Sequence, residues 1–307
     1  MGFYEYQQQF GGKQVYALEA DEPLRDPAAF VPRLSSGYDS PIGFAELFAQ
    51  LLADPNADQL TALVIGTWFT DDPYETTAAV VVESLVAAAD QLGSLRAIFL
   101  GDILGEECEV SWIQQTDVSP LWEAFPKLEV FQARGGEGLS LGKFELDYLQ
   151  TLVVECGGLP GNVLKELASS RVPSLTHLEL YLGDNYYGWD SSVDEVQPLL
   201  SGELFPKLEY LGLRNSEIAD EIAAAVASSP LLERIKELDL SRGTLGNAGA
   251  EALLKSPAVS RLKRLNLAES YLSAEMVSRL EALPIEVDLT DCHGDADPDD
   301  RYVAVSE

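Results

Sequence analysis

Residues 208–230 read LEYLGLRNSEIADEIAAAVASSP, residues 235–257 read IKELDLSRGTLGNAGAEALLKSP, and residues 262–284 read LKRLNLAESYLSAEMVSRLEALP. The three strings align without a gap at a spacing of 27 residues. Leu211, Leu238 and Leu265 share one register and Leu213, Leu240 and Leu267 a second; Ile218, Leu245 and Leu272 form a third, Val226, Leu253 and Leu280 a fourth, and Pro230, Pro257 and Pro284 a fifth. Each unit opens on an alternation of period two, as a strand does, and continues with apolar residues three or four apart, as an amphipathic helix does. A fixed period of this length marks stacked units, each too small to bury its own apolar face.

The opening L-x-x-L-x-L resembles the leucine-rich repeat, and the unit length resembles the ribonuclease-inhibitor-like type. That resemblance implies an α/β solenoid bent into a horseshoe, with a parallel sheet on the concave face and helices on the convex face. Carried backwards, the template finds earlier units opening at Leu60, Leu95, Leu128, Leu149 and Leu175, ahead of Leu208, Ile235 and Leu262; a ninth strand is expected around Val287 and Leu289. Eight or nine repeats are therefore expected. Helical patterns fill residues 74–92, 193–204, 218–228, 247–255 and 274–283. In place of the Asn or Cys usual after the strand stand Ser216, Gly243 and Ser270, which predicts a looser polar ladder there; Cys292 occupies that place in the ninth unit and is expected to be buried.

Three segments follow: residues 1–54 as an N-terminal hairpin and capping helix, 55–292 as the solenoid, and 293–307 as an acidic tail. Gly11-Gly12 sits between two strand-like runs in residues 3–18, and residues 42–52 read as a helix leading into the first repeat. Residues 302–305, Tyr-Val-Ala-Val, suggest a short terminal strand, docked or disordered.

The formal charge of −31 sets this chain against nucleic acid and against anionic membranes, because like charge replaces the counterion release that drives such binding. It fits solubility or a basic partner. The most apolar window, residues 77–95, is interrupted by Glu83 and Asp90 and reads as a packed helix. No secretory signal is visible at the N-terminus, and Tyr6 stands where a myristoylation signal beginning at Gly2 wants Ser or Thr. Three widely separated cysteines, Cys108, Cys156 and Cys292, suggest no disulfide framework, so a cytoplasmic location is expected.

Strand alternation turns the third, fifth and seventh positions of each unit away from the helices. In the early units these positions are small or apolar. In the middle and late units they bring out Arg134, Glu155, His177, Glu179, Tyr181, Tyr210, Arg214, Asp239 and Arg264. Arginine among aromatics is favoured at protein interfaces; the alternative is that these charges neutralise one another across neighbouring strands. Two insertions follow strands, GDILGEECEVSWIQQTDV (101–118) and GDNYYGWD (183–190), and carry Trp112, Tyr187 and Trp189 as further contact candidates or as covers for the sheet edge. A protein or peptide partner is the expectation, with neither cofactor nor metal.

Residues 138–142, GLSLG, match the nucleophile-elbow pattern of hydrolases, but the next residues run into another repeat, and only His177 and His293 could act as base. Asp295, Asp297 and Asp299 resemble the start of a calcium loop, but Asp300 replaces the glycine that its sixth position needs.

Particular strings resemble one bacterial leucine-rich-repeat family of no assigned activity: TALVIGTW (61–68), FLGDILGEECEVSWIQQTDVSPL (99–121), LVVECGGLP (152–160), LGLRNSEIADE (211–221) and DDRYVAVSE (299–307). The resemblance extends from about residue 42 onward. It implies encoding near radical-SAM, ATP-grasp-like and sulfatase-like enzymes, hence a cluster-encoded enzyme as one candidate partner. It also implies an alternative role, a modification substrate or carrier read through its tail.

Overall fold

The computed structural model of the chain describes residues 3–37, 40–69 and 73–306. Gly2, weighed above for myristoylation, lies outside them. Among the described residues, twelve strands form one sheet in strict sequence order: β1 (Gln9–Phe10), β2 (Lys13–Ala17), β3 (Phe30–Leu34), β4 (Ala62–Ile65), β5 (Ala97–Leu100), β6 (Val130–Arg134), β7 (Thr151–Glu155), β8 (His177–Gly183), β9 (Tyr210–Ser216), β10 (Glu237–Asp239), β11 (Arg264–Asn266) and β12 (Glu286–Asp288). β1 and β2 pair antiparallel across Gly11-Gly12, and every later pairing is parallel. Sequential parallel pairing gives a leucine-rich, solenoid-like sheet.

The helices are α1 (Phe44–Ala53), α2 (Ala79–Ala87), α3 (Pro120–Ala124), α4 (Gly161–Ser169), α5 (Val193–Val196), α6 (Ala219–Ala227), α7 (Asn247–Lys255) and α8 (Ala274–Glu281). They differ from the sequence pattern mainly in length. The 74–92 pattern contracts to α2, and the 193–204 pattern splits into α5 and a 3-10 turn at Gln197–Ser201, where Pro198 removes a backbone donor. β3 was not apparent from the sequence, because Pro32 interrupts its strand pattern. With β3 in place the sheet runs unbroken from the hairpin into the repeats, across the segment boundary drawn at residue 54.

The core lies between the sheet and the helices. The leucine columns Leu211/Leu238/Leu265 and Leu213/Leu240/Leu267 are buried there, against Ile222, Leu253 and Leu280 of α6, α7 and α8. Each such side chain contributes roughly 1.5–3 kcal/mol by leaving water. Gly243 has a steric reason, since a Cβ there would stand 2.7 Å from the Ser216 carbonyl oxygen of the preceding unit. Cys292, expected to be buried, is partly buried against the core on the last unit.

At the end of β9 and just past β10, β11 and β12 the chain turns through left-handed φ, at Asn215 (55°), Arg242 (69°), Glu269 (59°) and Asp291 (54°). Residues with side chains rarely adopt this conformation. Beyond β12 the acidic segment is largely exposed, and the chain then returns over the strand ends, where Val303 and Val305 are buried. Residues 302–305 carry a bend at Ala304 and pair with no strand, so the short terminal strand suggested by the sequence does not form.

Candidate functional site

On the face turned away from the helices, neighbouring units stack the third- and fifth-position residues in rows. His177, Tyr210, Glu237, Arg264 and Glu286 are successive partners in one row, and Glu179, Gly212, Asp239, Asn266 and Asp288 in the next. This open face divides into a covered half and a free half.

The chain's own N-terminus makes the cover. Phe10 joins Val15, Val31, Ala62, Val64, Ala97 and Phe99 in a second apolar cluster, its ring 5.9 Å from Phe99. Gly11 stands so close to the sheet that a Cβ would be 3.1 Å from that of Ala62. Ahead of it, the Tyr6 ring lies 3.5 Å from the Arg33 guanidinium and the Phe3 ring 3.9 Å from that of Arg134. The Gly105 amide donates to the Phe3 carbonyl at 2.8 Å. Tyr6 donates to Glu107 at 2.8 Å, and burial together with that carboxylate pushes its phenol up to about 12.

Beneath this arm lies a closed charge cluster. Arg134 donates through Nε to Glu155 at 2.9 Å and through Nη1 to the Ile103 carbonyl at 2.8 Å, and it approaches Asp102 at 3.7 Å. Asp102 is fully buried, faces Arg33 at 3.6 Å and accepts from the Gln7 amide at 3.2 Å. Burial raises the Asp102 carboxyl despite the two guanidiniums. Tyr181, 2% exposed, packs on Phe3 at 6.0 Å, so Arg134, Glu155 and Tyr181 are held inside the molecule. Asp102 and Arg33 escaped the sequence reading, one inside an insertion and the other on the unrecognised β3.

From β8 to β12 the face is open. Arg214 binds Glu179 at 2.6 Å and Ser241 Oγ at 3.1 Å, with Asp239 at 3.4 Å. The Tyr210 hydroxyl lies 3.2 Å from Glu179 and 3.1 Å from Asp239, and its single proton serves one carboxylate at a time. Burial and those two charges raise the Tyr210 phenol. Burial would also raise the Glu179 carboxyl, but hydrogen bonds from His177 and Arg214 and the Arg214 charge outweigh it and hold the carboxyl at about 2. Of the two bonds, that to Arg214 at 2.6 Å is far shorter than that to His177 at 3.4 Å. Asp239 is buried in this network. His177, with 34% of its side chain exposed, stacks flat on Tyr210 at 4.0 Å, and Arg264, 42% exposed, pairs with Asp288 at 2.9 Å and Glu286 at 3.4 Å.

Glu179 carries a pH-dependent prediction. Its folded carboxyl sits at about 2 against an ordinary 4.5, so its contribution is fully present above 4.5 and is lost as pH falls through about 2. Glu179→Gln should lower stability by about 2–3 kcal/mol at neutral pH. Urea titrations of both proteins between pH 7 and pH 3 should show the gap narrowing; a constant gap would refute the assignment.

The aromatic insertions divide as well. Trp189 is buried and covers the core, Tyr187 is half-buried, and Tyr186 is exposed. Trp112 is half-exposed, edge-on to the exposed Tyr74 at 5.6 Å.

Ser140 is held by Glu166 at 2.9 Å, while His177 faces Glu179 and Tyr210, so the two residues of the hydrolase pattern are engaged separately. The cysteines make no better nucleophiles, because burial pushes the Cys108 thiol up to about 11 and raises Cys156 further still. A cleft of about 690 Å³ at the strand ends of β3 and β4 is lined by Tyr6, Arg33, Ser35, Thr67 and Glu107. In the acidic segment, Asp297 accepts from the Asp299 amide at 3.2 Å and so caps the short turn Pro298–Asp300.

No family model and no curated protein matches the chain. Among solved structures, a structural-genomics crystal structure of a protein from Bacteroides fragilis superposes with a TM-score of 0.80 at 30% identity, over 89% of this chain and 77% of that one. An internalin from Listeria monocytogenes aligns with a TM-score of 0.44 at 16% identity, over 85% of this chain and 66% of that one.

Proposed function

We propose a function from the premise that the chain belongs to the same family as the Bacteroides fragilis protein: it is a non-enzymatic scaffold that holds a protein or peptide partner. The sheet is read as the inner wall of a horseshoe of eight or nine repeats, with β8 to β12 as the contact surface. The observation that carries this reading is the division of the open face. The half under the N-terminal arm is occupied, whereas the free half presents His177 stacked on Tyr210, Arg264 and the acidic residues around them. Aromatic and arginine side chains held rigidly by a packed framework form contacts at little cost in side-chain entropy.

With a net charge of −31, the partner is a basic protein or peptide, and an enzyme encoded beside this chain is one candidate. The compartment is the cytoplasm, in keeping with three free thiols.

A His177→Ala/Arg264→Ala variant removes the exposed ring and guanidinium and keeps the buried Glu179–Arg214–Asp239 network. Capture from the native organism with parent and variant baits should identify a protein bound by the parent and lost by roughly tenfold or more in the variant, or about 1.4 kcal/mol. Equal capture by two baits of identical circular dichroism would remove this surface from consideration.

A further inference from the structure

The C-terminal segment, residues 301–306, lies in a seat built mostly from the late repeats, closed at one end by Ser111 of the 101–118 insertion. Arg301 reaches Asp220 Oδ2 and the Thr244 carbonyl, each at 3.3 Å, and donates through Nε and Nη2 to the Ala296 carbonyl of its own segment at 3.1 and 2.9 Å. It passes over Gly246, where a Cβ would stand 2.0 Å from its Nη1. The Tyr271 hydroxyl accepts from the Tyr302 amide at 3.2 Å and donates to the Tyr302 carbonyl at 3.1 Å. The Ala304 amide donates to the Arg242 carbonyl at 2.8 Å. Asn215 meets both polar groups of one residue: its Oδ1 accepts from the Val305 amide at 2.8 Å and its Nδ2 donates to the Val305 carbonyl. Ser111 donates to the Ser306 carbonyl.

The side chains alternate as an extended chain requires. Arg301, Val303 and Val305 turn inward, with the two valines 3% and 1% exposed, while Tyr302 is 68% exposed. Backbone bonds combined with pockets for alternate side chains are how extended peptides are recognised. Apart from the Ala296 carbonyl, the side chains and carbonyls that meet the segment come from positions 31 to 195 away in the chain, from Tyr271 to Ser111. The segment connecting it, residues 293–300, is largely exposed and acidic.

We propose that this seat is a recognition groove for extended peptides of the pattern Arg-x-Val-x-Val, occupied within the molecule by the chain's own tail and available to a partner segment of the same pattern. Asp220 selects the arginine, the two buried pockets take the β-branched residues, and Asn215 and Tyr271 read the backbone between them. The proposal is independent of whether the free half of the open face binds anything. A tail joined by a short linker competes at an effective concentration on the order of millimolar. An outside segment therefore binds the intact chain far more weakly than it binds an emptied seat.

The test keeps the whole chain. A protease site replaces residues 293–295, the protein is folded and then nicked, and fluorescein-labelled ADPDDRYVAVSE, which keeps the Ala296 carbonyl that Arg301 meets, is added in excess. Expected are saturable uptake by the nicked protein, competition by unlabelled peptide, and uptake by the uncut protein weaker by about 100-fold or more. Peptides changed at the arginine to alanine, or at the last valine to aspartate, should bind at least tenfold more weakly, and Tyr271→Phe in the seat should weaken uptake several-fold with unchanged circular dichroism. The proposal is overturned if the nicked, folded protein never exchanges its tail, if a scrambled peptide enters equally well, or if uncut and nicked proteins take up the label alike.

Discussion

Arg134→Met is expected to destabilise the protein by about 3–5 kcal/mol, the cost of breaking a buried ion pair from one side. Methionine fills much of the same space, so the loss is chiefly electrostatic. Glu155 loses its partner at 2.9 Å, the Ile103 carbonyl loses a donor, Phe3 loses the cation beneath its ring, and Asp102 keeps the Gln7 amide and, of its two guanidiniums, that of Arg33 at 3.6 Å. The pH dependence identifies the cause. The Asp102 carboxyl is already raised by burial, and it rises further when Arg134 is removed. A carboxyl with a raised folded pKa holds a proton that the unfolded chain gives up, so the variant loses stability, relative to the parent, as pH climbs from the ordinary carboxylate range towards neutrality. Urea unfolding at pH 5 and pH 7.5 reads this directly. A deficit that does not grow with pH would show that Arg134 acts only by filling space.

Gly183→Ala should cost about 2–5 kcal/mol, from roughly 1–2 for a left-handed alanine and 1–3 for forced repacking. Gly183 has φ 77°, and a Cβ there would stand 1.8 Å from the Gly157 carbonyl oxygen and 2.5 Å from the Gly158 Cα. These are backbone atoms, so no side chain can rotate away. Gly12 is the natural comparison, with φ 75° but nothing within 4 Å of its would-be Cβ. Gly12→Ala should therefore show the conformational cost alone, about 1–2 kcal/mol. Equal denaturation midpoints for the two variants would mean that the crossing of residues 157–158 under Gly183 carries no energetic weight.

The late units were legible because their period is a direct record of packing. Leu211, Leu238 and Leu265 recur because each meets the same neighbour, one unit on. The same periodicity says which face a residue occupies but nothing of what lies over it. Arg134 and Tyr181 occupy the expected columns, and only the arm bearing Phe3 and Tyr6, from the far end of the chain, turns them into interior residues. Asp102 sits in an irregular insertion, where no period exists to place it. The tail was ambiguous for a related reason: eight acidic-to-neutral residues precede two valines whose burial depends on Asn215, Arg242 and Tyr271, and no local pattern reports contacts that distant.

Both ends of the chain touch units that are not their sequence neighbours. In a stack of repeats where each unit touches only the next, unfolding begins at an end and proceeds inward, one unit at a time. Here the first residues reach Asp102, Arg134 and Tyr181, while the last reach back from Tyr271 to Asn215 and Ser111. Peeling the terminal unit away means releasing contacts several units deep, so fraying carries nearly the penalty of global opening. The two straps turn a one-dimensional array into a cooperative body, in which amide exchange in β11 and β12 should track that of the central strands.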